Sequence, residues 1–250
     1  TSMVALPFTK GRKPYEQVAF QFSAHTLHKD GRMEHHEWID TNQGVFPNYE
    51  FVRQLKAVLE KDDGTIFKYS PHENTVLNQI KTQMLDDDES KYGDLIEWIE
   101  TITSWDEGGV KGSGYRNMVD LLQMVRKYYY HPDMGGSNSI KKVLPAVMTG
   151  DAVKKKYSKP SDFGTHLKGR VLWELNPETG KPENPYHLLP GQYGDLDLNQ
   201  DELILEDANI QEGGAAMMAY AKMQFTDMTD AEREALRNAL LQYCELDTLA

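Results

Sequence analysis

The sequence predicts an α/β fold, because stretches with the two-residue period of a β-strand alternate along the chain with stretches that have the spacing of amphipathic helices. From residue 18 to residue 27, apolar and polar side chains alternate, which is typical of a half-buried strand. The segment 34–39 is predicted to pair with it across a Lys-Asp-Gly turn. Near the other end of the chain, Thr229 with Glu232 three residues later predicts a helix that begins with a capping box.

The remaining elements are predicted from the same patterns. In chain order they are a helix that Pro47 opens, a short strand at 65–69, a helix at 71–84, a further helix after the acidic run 86–89, a short helix at 139–147 and a helix at 211–225. The glycine-rich residues 108–114 are predicted to form a flexible loop. Proline, glycine, asparagine and charged residues dominate 154–207, which predicts an irregular insertion within a single domain over residues 1–250.

Composition narrows the class of protein. With 250 residues, 39% of them hydrophobic, the chain has enough apolar side chains for a substantial core. No apolar run reaches the roughly 18 residues that a membrane-spanning helix needs, and the first residues lack a signal-peptide pattern, so we expect a cytoplasmic protein without a membrane partner. The single cysteine, Cys244, excludes an internal disulfide and a cysteine-based zinc site, and we interpret it as a core residue.

Charge is distributed unevenly along the chain. The net charge of -12 argues against a general nucleic-acid coat, which needs an excess of lysine and arginine. The segment 141–170 nevertheless carries eight basic and two acidic residues. Five of its lysines are candidate nucleic-acid contacts: Lys141, Lys142, Lys154, Lys155 and Lys156. The segment either follows a nucleic-acid backbone or forms an ordinary solvated face.

The last helix places a phenol and a carboxylate on one face. Tyr243 and Asp247 are four residues apart, so their side chains lie about one helical turn from each other. A metal-dependent phosphodiesterase uses such a pair, because the carboxylate binds a divalent cation and the hydroxyl orients water or phosphate. The alternative is an aromatic side chain packed under the helix beside a solvated carboxylate.

Three other patterns are less specific. The histidines include a His-His pair but have no spacing that specifies zinc, and His25 faces His35 or His36 as a cross-strand neighbour if the hairpin forms. The run 128–130 is three tyrosines, which either stack on bases or, as we favour, form a buried aromatic cluster at a helix end. The glycines of 108–114 lack the spacing of a phosphate-binding loop.

Four ordered segments resemble one bacterial family. They are Gly-Arg-Lys-Pro-Tyr-Glu-Gln-Val-Ala-Phe-Gln-Phe-Ser at 11–23, Tyr-Tyr-Tyr-His-Pro-Asp-Met at 128–134, Ser-Asn-Ser-Ile-Lys-Lys-Val-Leu-Pro at 137–145 and Tyr-Cys-Glu-Leu-Asp-Thr at 243–248. Together they resemble the family called domain of unknown function 2779, which is similar to the DnaQ-like 3'-5' exonucleases of the RNase H-like superfamily. The resemblance implies a mixed sheet flanked by helices, with the first strand absent from this sequence, and four acidic residues from three motifs that hold two cations.

The motifs carry over residue by residue. The third motif, Tyr-x-x-x-Asp, falls on Tyr243 and Asp247. The second motif places Glu73 where relatives usually have Asp, and Asp120 resembles a strand-end Asp for which we favour a structural role over metal binding. The first motif, Asp-Phe-Glu-Thr, is matched only at its last residue, by Thr1, so its two carboxylates either precede the given sequence or have been lost.

The resemblance therefore implies a metal-dependent 3'-5' exonuclease. Two Mg²⁺ or Mn²⁺ ions would activate water and stabilise the leaving oxygen, with Glu73 and Asp247 as ligands and Tyr243 positioning the water. The expected partner is DNA or RNA, in single-stranded form. The alternative is a catalytically inactive RNase H-like module that binds nucleic acid or a protein partner.

Overall fold

Seven α-helices and four two-stranded sheets make up the part of the chain that the computed structural model describes, which is residues 1–3, 5–190 and 213–250. The strands are β1 (Ser2–Met3), β2 (Gln17–Val18), β3 (Gln21–Leu27), β4 (Met33–Ile39), β5 (Phe67–Lys68), β6 (Ser104–Glu107), β7 (Val110–Ser113) and β8 (Val119–Asp120). The helices are α1 (Asn48–Leu59), α2 (His72–Ile102), α3 (Leu121–Tyr128), α4 (Ile140–Val147), α5 (Asp151–Tyr157), α6 (Gly213–Phe225) and α7 (Asp230–Leu249). The predicted mixture of α and β structure is confirmed.

The predicted hairpin is present as the antiparallel pair β3–β4. Its register places His25 opposite His35 and Gln21 opposite Ile39. The helix α7 packs on this hairpin, and the hydroxyls of Ser23 and Thr248 are 2.7 Å apart. The hairpin therefore packs against the C-terminal half of α7.

A parallel pair, β5–β8, brings two distant helix starts together. Phe67 pairs with Val119, and Lys68 pairs with Asp120. The first strand then leads into α2 at His72, and the second leads into α3 at Leu121. Because the carboxyl ends of parallel strands meet at one edge, the residues that follow β5 and β8 lie side by side.

The predicted pair of helices on either side of the acidic run 86–89 is confirmed, and the two helices join at a kink within α2. In α2 the backbone of Asp88 leaves the helical region, with φ -165° and ψ 91°. Its carboxylate accepts hydrogen bonds from the hydroxyl of Ser90 at 2.7 Å and the amide of Lys91 at 3.2 Å. Asp88 thus acts as an N-cap inside α2, which explains why the sequence pattern reads as two helices.

The prediction of a flexible loop at 108–114 is wrong, because residues 108–113 belong to the β6–β7 hairpin. Gly108 and Gly109 form its turn with positive φ values of 61° and 87°. A Cβ on Gly112 would lie 2.3 Å from the ring of Trp105, so glycine is what allows the indole to lie across the opposite strand.

The insertion predicted at 154–207 is partly helical. The lysines 154–156 lie in α5, whereas residues 158–190 form turns, a 3₁₀-helix at Pro185–Leu188 and an isolated bridge between Leu175 and Pro182. Residues 191–207 of the prediction, like the first two residues of the helix predicted at 211–225, lie outside the described residues.

Two large hydrophobic clusters hold the elements together. One is formed by the helix stripes of α6 and α7 with Phe20, whose ring stacks on Tyr220 with 3.9 Å between centroids. The other packs α1 and α2 against Phe22 of the hairpin. The capping box of Thr229 and Glu232 is confirmed at the start of α7. No helix of the described residues is long and apolar enough to cross a membrane.

Candidate functional site

The C-terminal half of α7 presents Tyr243 and Asp247 toward the same region, as the four-residue spacing predicts. Tyr243 is 6% exposed and belongs to the hydrophobic cluster under α7, whereas the carboxylate of Asp247 is about one-third exposed. Cys244 points to a different side, and burial together with the charge of Asp247 raises the pKa of its thiol to about 12. At neutral pH Cys244 is therefore a thiol and not a nucleophilic thiolate.

Two residues from other parts of the chain hold Asp247. The ammonium of Lys141, in the first turn of α4, lies 3.0 Å from Oδ1 of Asp247, and the hydroxyl of Tyr186 donates a hydrogen bond to the same oxygen. The Lys141 nitrogen also lies 3.1 Å from the ring centroid of Tyr186 and 4.3 Å from that of Tyr243. A cationic group is thus held between two aromatic rings and a carboxylate.

Tyr186 is a site residue that the sequence analysis missed. It is 1% exposed, and burial together with the negative charge of Asp247 raises the pKa of its phenol, so it is a hydrogen-bond donor at neutral pH. Its sequence context is the irregular region 158–190, where no periodic pattern marks a buried tyrosine. The Pro-Tyr pair after Asn184 is the only local signal, since Asn184 caps the short 3₁₀-helix there.

Glu73 lies in the first turn of α2, at the edge where β5 ends. The preceding turn is strained, because Ser70 has a positive φ of 91°. The Glu73 side chain reaches the surface, yet desolvation by neighbouring protein atoms raises the pKa of its carboxyl. The negative charges of Asp120 and Asp247 raise this pKa further, and the positive charge of Lys68 opposes them. Asp120 and Asp247 therefore lie close enough to Glu73 for their charges to affect it.

Asp120 is committed to backbone structure. Its Oδ1 accepts hydrogen bonds of 3.0 Å from the amides of Ser70 and Leu122, the second of which makes it the N-cap of α3. Its Oδ2 lies 3.4 Å from the ammonium of Lys68. Desolvation acts to raise the pKa of Asp120, but these hydrogen bonds and the lysine outweigh it and lower the pKa. The structural role favoured in the sequence analysis agrees with these contacts.

Thr1 lies at the same cluster. Its hydroxyl is 2.9 Å from Nε2 of His72, and its backbone nitrogen lies near Glu73 and Asp247. A residue bonded to the Thr1 nitrogen would therefore stand beside Glu73 and Asp247.

The five candidate lysines lie on two helices, α4 and α5, and differ in their contacts. Lys141 is part of the Asp247 site, and Lys142 follows it on α4. Lys154 lies over the ring of Trp173 at 4.8 Å, and Lys156 lies 5.1 Å from the ring of Tyr157. Lys155 shares the exposed helix α5, which buries none of its residues.

The tyrosine run does not form the buried cluster that we favoured. Tyr128 and Tyr130 are 73% and 80% exposed, and Tyr129 alone packs against a small hydrophobic cluster that includes Met134. The chain leaves α3 at Tyr128 and becomes extended at Tyr129, so alternate side chains point to opposite sides.

Two of the three carboxylates described above are suited to binding a cation. Glu73 and Asp247 offer hard carboxylate oxygens, as Mg²⁺ and Mn²⁺ prefer, whereas both oxygens of Asp120 are engaged. Within the described residues, two groups of three side chains have ligand atoms within 4.8 Å of one another, and neither includes Glu73, Asp120 or Asp247. One cation between Glu73 and Asp247 is compatible with these contacts if Lys141 moves aside. A second ion needs further carboxylates.

Comparison with known proteins gives one match. A family model described as "Domain of unknown function (DUF2779)" matches residues 1–139, more than half of the chain. No curated protein and no solved structure was found to match. The matched segment contains the β3–β4 hairpin, the β5–β8 pair and Glu73.

Proposed function

This chain belongs to the family of domain of unknown function 2779, and on that premise we propose that it is a metal-dependent 3'-5' exonuclease with an RNase H-like fold. One observation carries the proposal. Glu73 and Asp247, which the second and third motifs assign as ligands, are far apart in sequence but both lie near Thr1, whose hydroxyl is 2.9 Å from Nε2 of His72, the residue before Glu73. A residue before Thr1 would join them, as the first motif requires.

When bound, Mg²⁺ or Mn²⁺ would lower the pKa of a water molecule and stabilise negative charge on the phosphate. The residues of this chain have separate tasks. Glu73 and Asp247 provide oxygen ligands. Lys141 neutralises Asp247 in the absence of a cation and is placed to contact a phosphate oxygen once displaced. Tyr186 holds Asp247 in a fixed orientation by its hydrogen bond.

The role of Tyr243 follows from its position. Its ring is buried beneath Lys141, and it lies 5.9 Å from the ring of Tyr186, with 44° between the ring planes. Tyr243 acts as a hydrogen-bonding and packing group beside the proposed cation site. It also supports the ammonium of Lys141 from one side.

The experiment is a nuclease assay on protein in which Asp-Phe-Glu precedes Thr1. Single-stranded DNA and RNA with a 5' label are incubated with Mn²⁺, with Mg²⁺ and with EDTA. We expect stepwise shortening from the 3' end with either metal, and none with EDTA. Asp247→Asn and Glu73→Gln should each reduce the rate by at least about 100-fold, because each removes a charge from the cation site.

Matched controls separate chemistry from folding. Asp63→Asn and Glu97→Gln change exposed residues of the same types and should keep the wild-type rate. Circular dichroism and thermal unfolding check that all four variants fold. If the extended protein binds a labelled single strand, by fluorescence anisotropy, but never shortens it, the inactive nucleic-acid-binding module replaces the exonuclease. If it neither binds nor cleaves, both are rejected.

A further inference from the structure

Five histidine and glutamate side chains meet on the other side of α7, beneath its last two turns. They come from both strands of the hairpin, from the loop 164–167 and from α7. The members of this group, called here the His/Glu cluster, are His25, His35, Glu37, His166 and Glu245. None of them belongs to the site of Glu73 and Asp247, and only the tertiary structure brings them together.

The His/Glu cluster is sheltered from solvent. The side chains of His35 and Glu245 are 2% and 0% exposed, and those of Glu37 and His166 are about one-fifth exposed. The ligand atoms of His25, His35 and Glu245 lie within 4.8 Å of one another, and so do those of Glu37, His166 and Glu245. The two groups share Glu245, so they form one continuous cluster.

The individual distances are close to those of a metal site. Nδ1 of His35 lies 3.8 Å from Oε1 of Glu245 and 4.0 Å from Oε2 of Glu37. A tetrahedral ion with ligand bonds of about 2.0–2.1 Å holds its ligand atoms about 3.3–3.4 Å apart. The two His35 distances therefore exceed those of such a shell by only about 0.4–0.7 Å.

Two polar atoms of the His/Glu cluster lack a hydrogen bond within the described residues. Nε2 of His25 and Oε2 of Glu37 are both buried, and neither has a hydrogen-bond partner in the part of the chain that the structure describes. A buried acceptor without a partner costs about 1–3 kcal/mol. A carboxylate oxygen and an imidazole nitrogen left unpaired within one cluster are what a bound cation satisfies together.

We propose that His25, His35 and Glu245, with the carboxylate of Glu37 beside them, bind one divalent transition-metal ion of the zinc class. Imidazole nitrogens select Zn²⁺ and its neighbours over Mg²⁺ and Ca²⁺, which prefer shells made of oxygen. The two carboxylates carry two negative charges, so a divalent ion with two neutral imidazoles leaves the shell neutral. This site is separate from the proposed exonuclease centre and does not depend on it.

Neighbouring hydroxyl groups already orient the two histidine rings of the proposed site. Oγ of Ser23 is 2.8 Å from Nε2 of His35, which leaves Nδ1 of that ring for the ion, and the hydroxyl of Thr165, 2.8 Å from Nδ1, would be displaced. Thr248 contacts Nδ1 of His25 at 3.0 Å and leaves Nε2 available. Such outer contacts fix ring orientation in metal sites.

The two carboxylates are held as firmly. His166 bonds Oε1 of Glu37 at 2.9 Å and so aims the unpaired Oε2 inward. Oε2 of Glu245 accepts the amides of His166 at 2.7 Å and Leu167 at 3.3 Å, whereas Oε1 accepts that of Thr165 at 2.8 Å and keeps its second lone pair for the ion. An ion in this position would bind the hairpin, the loop 164–167 and α7 to one another.

The direct test uses the wild-type protein after EDTA treatment and dialysis. Titration with Co²⁺ should give the visible absorption of a tetrahedral complex that saturates at one equivalent, and Zn²⁺ should abolish it. Free Zn²⁺ at about 100 times Kd should raise the Tm by roughly 5–10 °C, whereas Mg²⁺ at the same concentration should not. Absence of both the absorption and the Tm shift overturns the proposal.

Matched variants locate the ion. His25→Gln and Glu37→Gln should each weaken Zn²⁺ binding on the order of 100-fold, measured by competition with a chelating dye. His36→Gln changes a histidine on the opposite face of β4 and should leave Kd unchanged, as should Asp247→Asn at the other site. If the first two variants fold by circular dichroism and bind Zn²⁺ as tightly as the wild type, the ion is held elsewhere. Equal loss in His36→Gln rejects the assignment as well.

Discussion

The ammonium nitrogen of Lys141 lies 3.0 Å from Oδ1 of Asp247, 106 positions further along the chain. A cation from the protein thus already occupies one side of the carboxylate that is proposed to bind a metal ion. The same nitrogen lies over the rings of Tyr186 and Tyr243, so the lysine is held in a defined position. Metal binding at Asp247 therefore competes with Lys141.

Lys141→Gln should lower the Mn²⁺ concentration that gives half-maximal nuclease activity by about fivefold. Removal of one positive charge beside the cation site is worth about 1 kcal/mol at this partly exposed position. The measurement is the Mn²⁺ dependence of the initial rate on a single-stranded substrate. Lys111→Gln, an exposed lysine of β7, is the control. An unchanged Mn²⁺ dependence in Lys141→Gln would contradict competition between the lysine and the ion.

Gly164→Ala should destabilise the protein by at least about 2 kcal/mol more than Gly169→Ala. Both glycines have positive φ, 91° and 81°, so both substitutions strain the backbone. Only at Gly164 would the new Cβ also meet another atom, Oε1 of Glu245, at 2.1 Å. Three backbone amides hold the carboxylate of Glu245 in place, so it cannot easily move away. Urea unfolding of the metal-free proteins measures the difference. Equal stabilities of the two variants would show that the Glu245 side chain yields.

Asn48→Ala should lower the free energy of unfolding by about 2–4 kcal/mol. Asn48 is fully buried, and its side chain joins three segments. It accepts the amide of Ala19 at 2.7 Å and donates to the carbonyl of Gln17 at 2.9 Å and to the side chain of Gln83 at 2.6 Å. Alanine cannot make these hydrogen bonds, so all three partner groups stay buried without the Asn48 amide. The exposed Asn42→Ala is the control, and a loss below 1 kcal/mol at Asn48 would mean that water replaces the amide.

Asp87 should contribute stability that is lost in acid. Partial desolvation acts to raise its pKa, but hydrogen bonds from Tyr49 and Arg12 outweigh it, so the pKa in the folded state is below the ordinary value of 3.8. The folded protein then binds fewer protons, and the contribution is present above pH 3.8 and falls as the pH falls through the folded value.

The effect is modest because the side chain of Asp87 is 36% exposed. Asp87→Asn should cost up to about 1 kcal/mol at pH 6 and much less at pH 3, measured by urea unfolding. Asp86→Asn, whose carboxylate is 3.7 Å from the more exposed Lys13, is the comparison. A cost for Asp87→Asn that is the same at both pH values would refute the linkage.

Local patterns were sufficient for much of the secondary structure. The hairpin and the capping box at Thr229 depend on neighbours in sequence, and both occur where the sequence predicts them. The β6–β7 hairpin was missed because Gly112 reads as a flexible residue, whereas its lack of a side chain makes room for Trp105. The break at Asp88 in α2 also occurs within the acidic run where the sequence predicts it, since a capping residue has the same local signature inside a long helix as at its start.

The sequence by itself determined the α/β class, the main helices and strands, the placement of Tyr243 and Asp247 on one helical face and, through its match over 1–139, the family. Only the tertiary structure decided which groups surround Asp247, why Asp120 serves as a cap, and that His25, Glu37 and Glu245 share a cluster. The physical reason is the separation along the chain of the residues that interact. Period and capping arise from contacts a few residues apart, whereas ion pairs, hydrogen bonds and ligand shells depend on distances that the chain path alone creates.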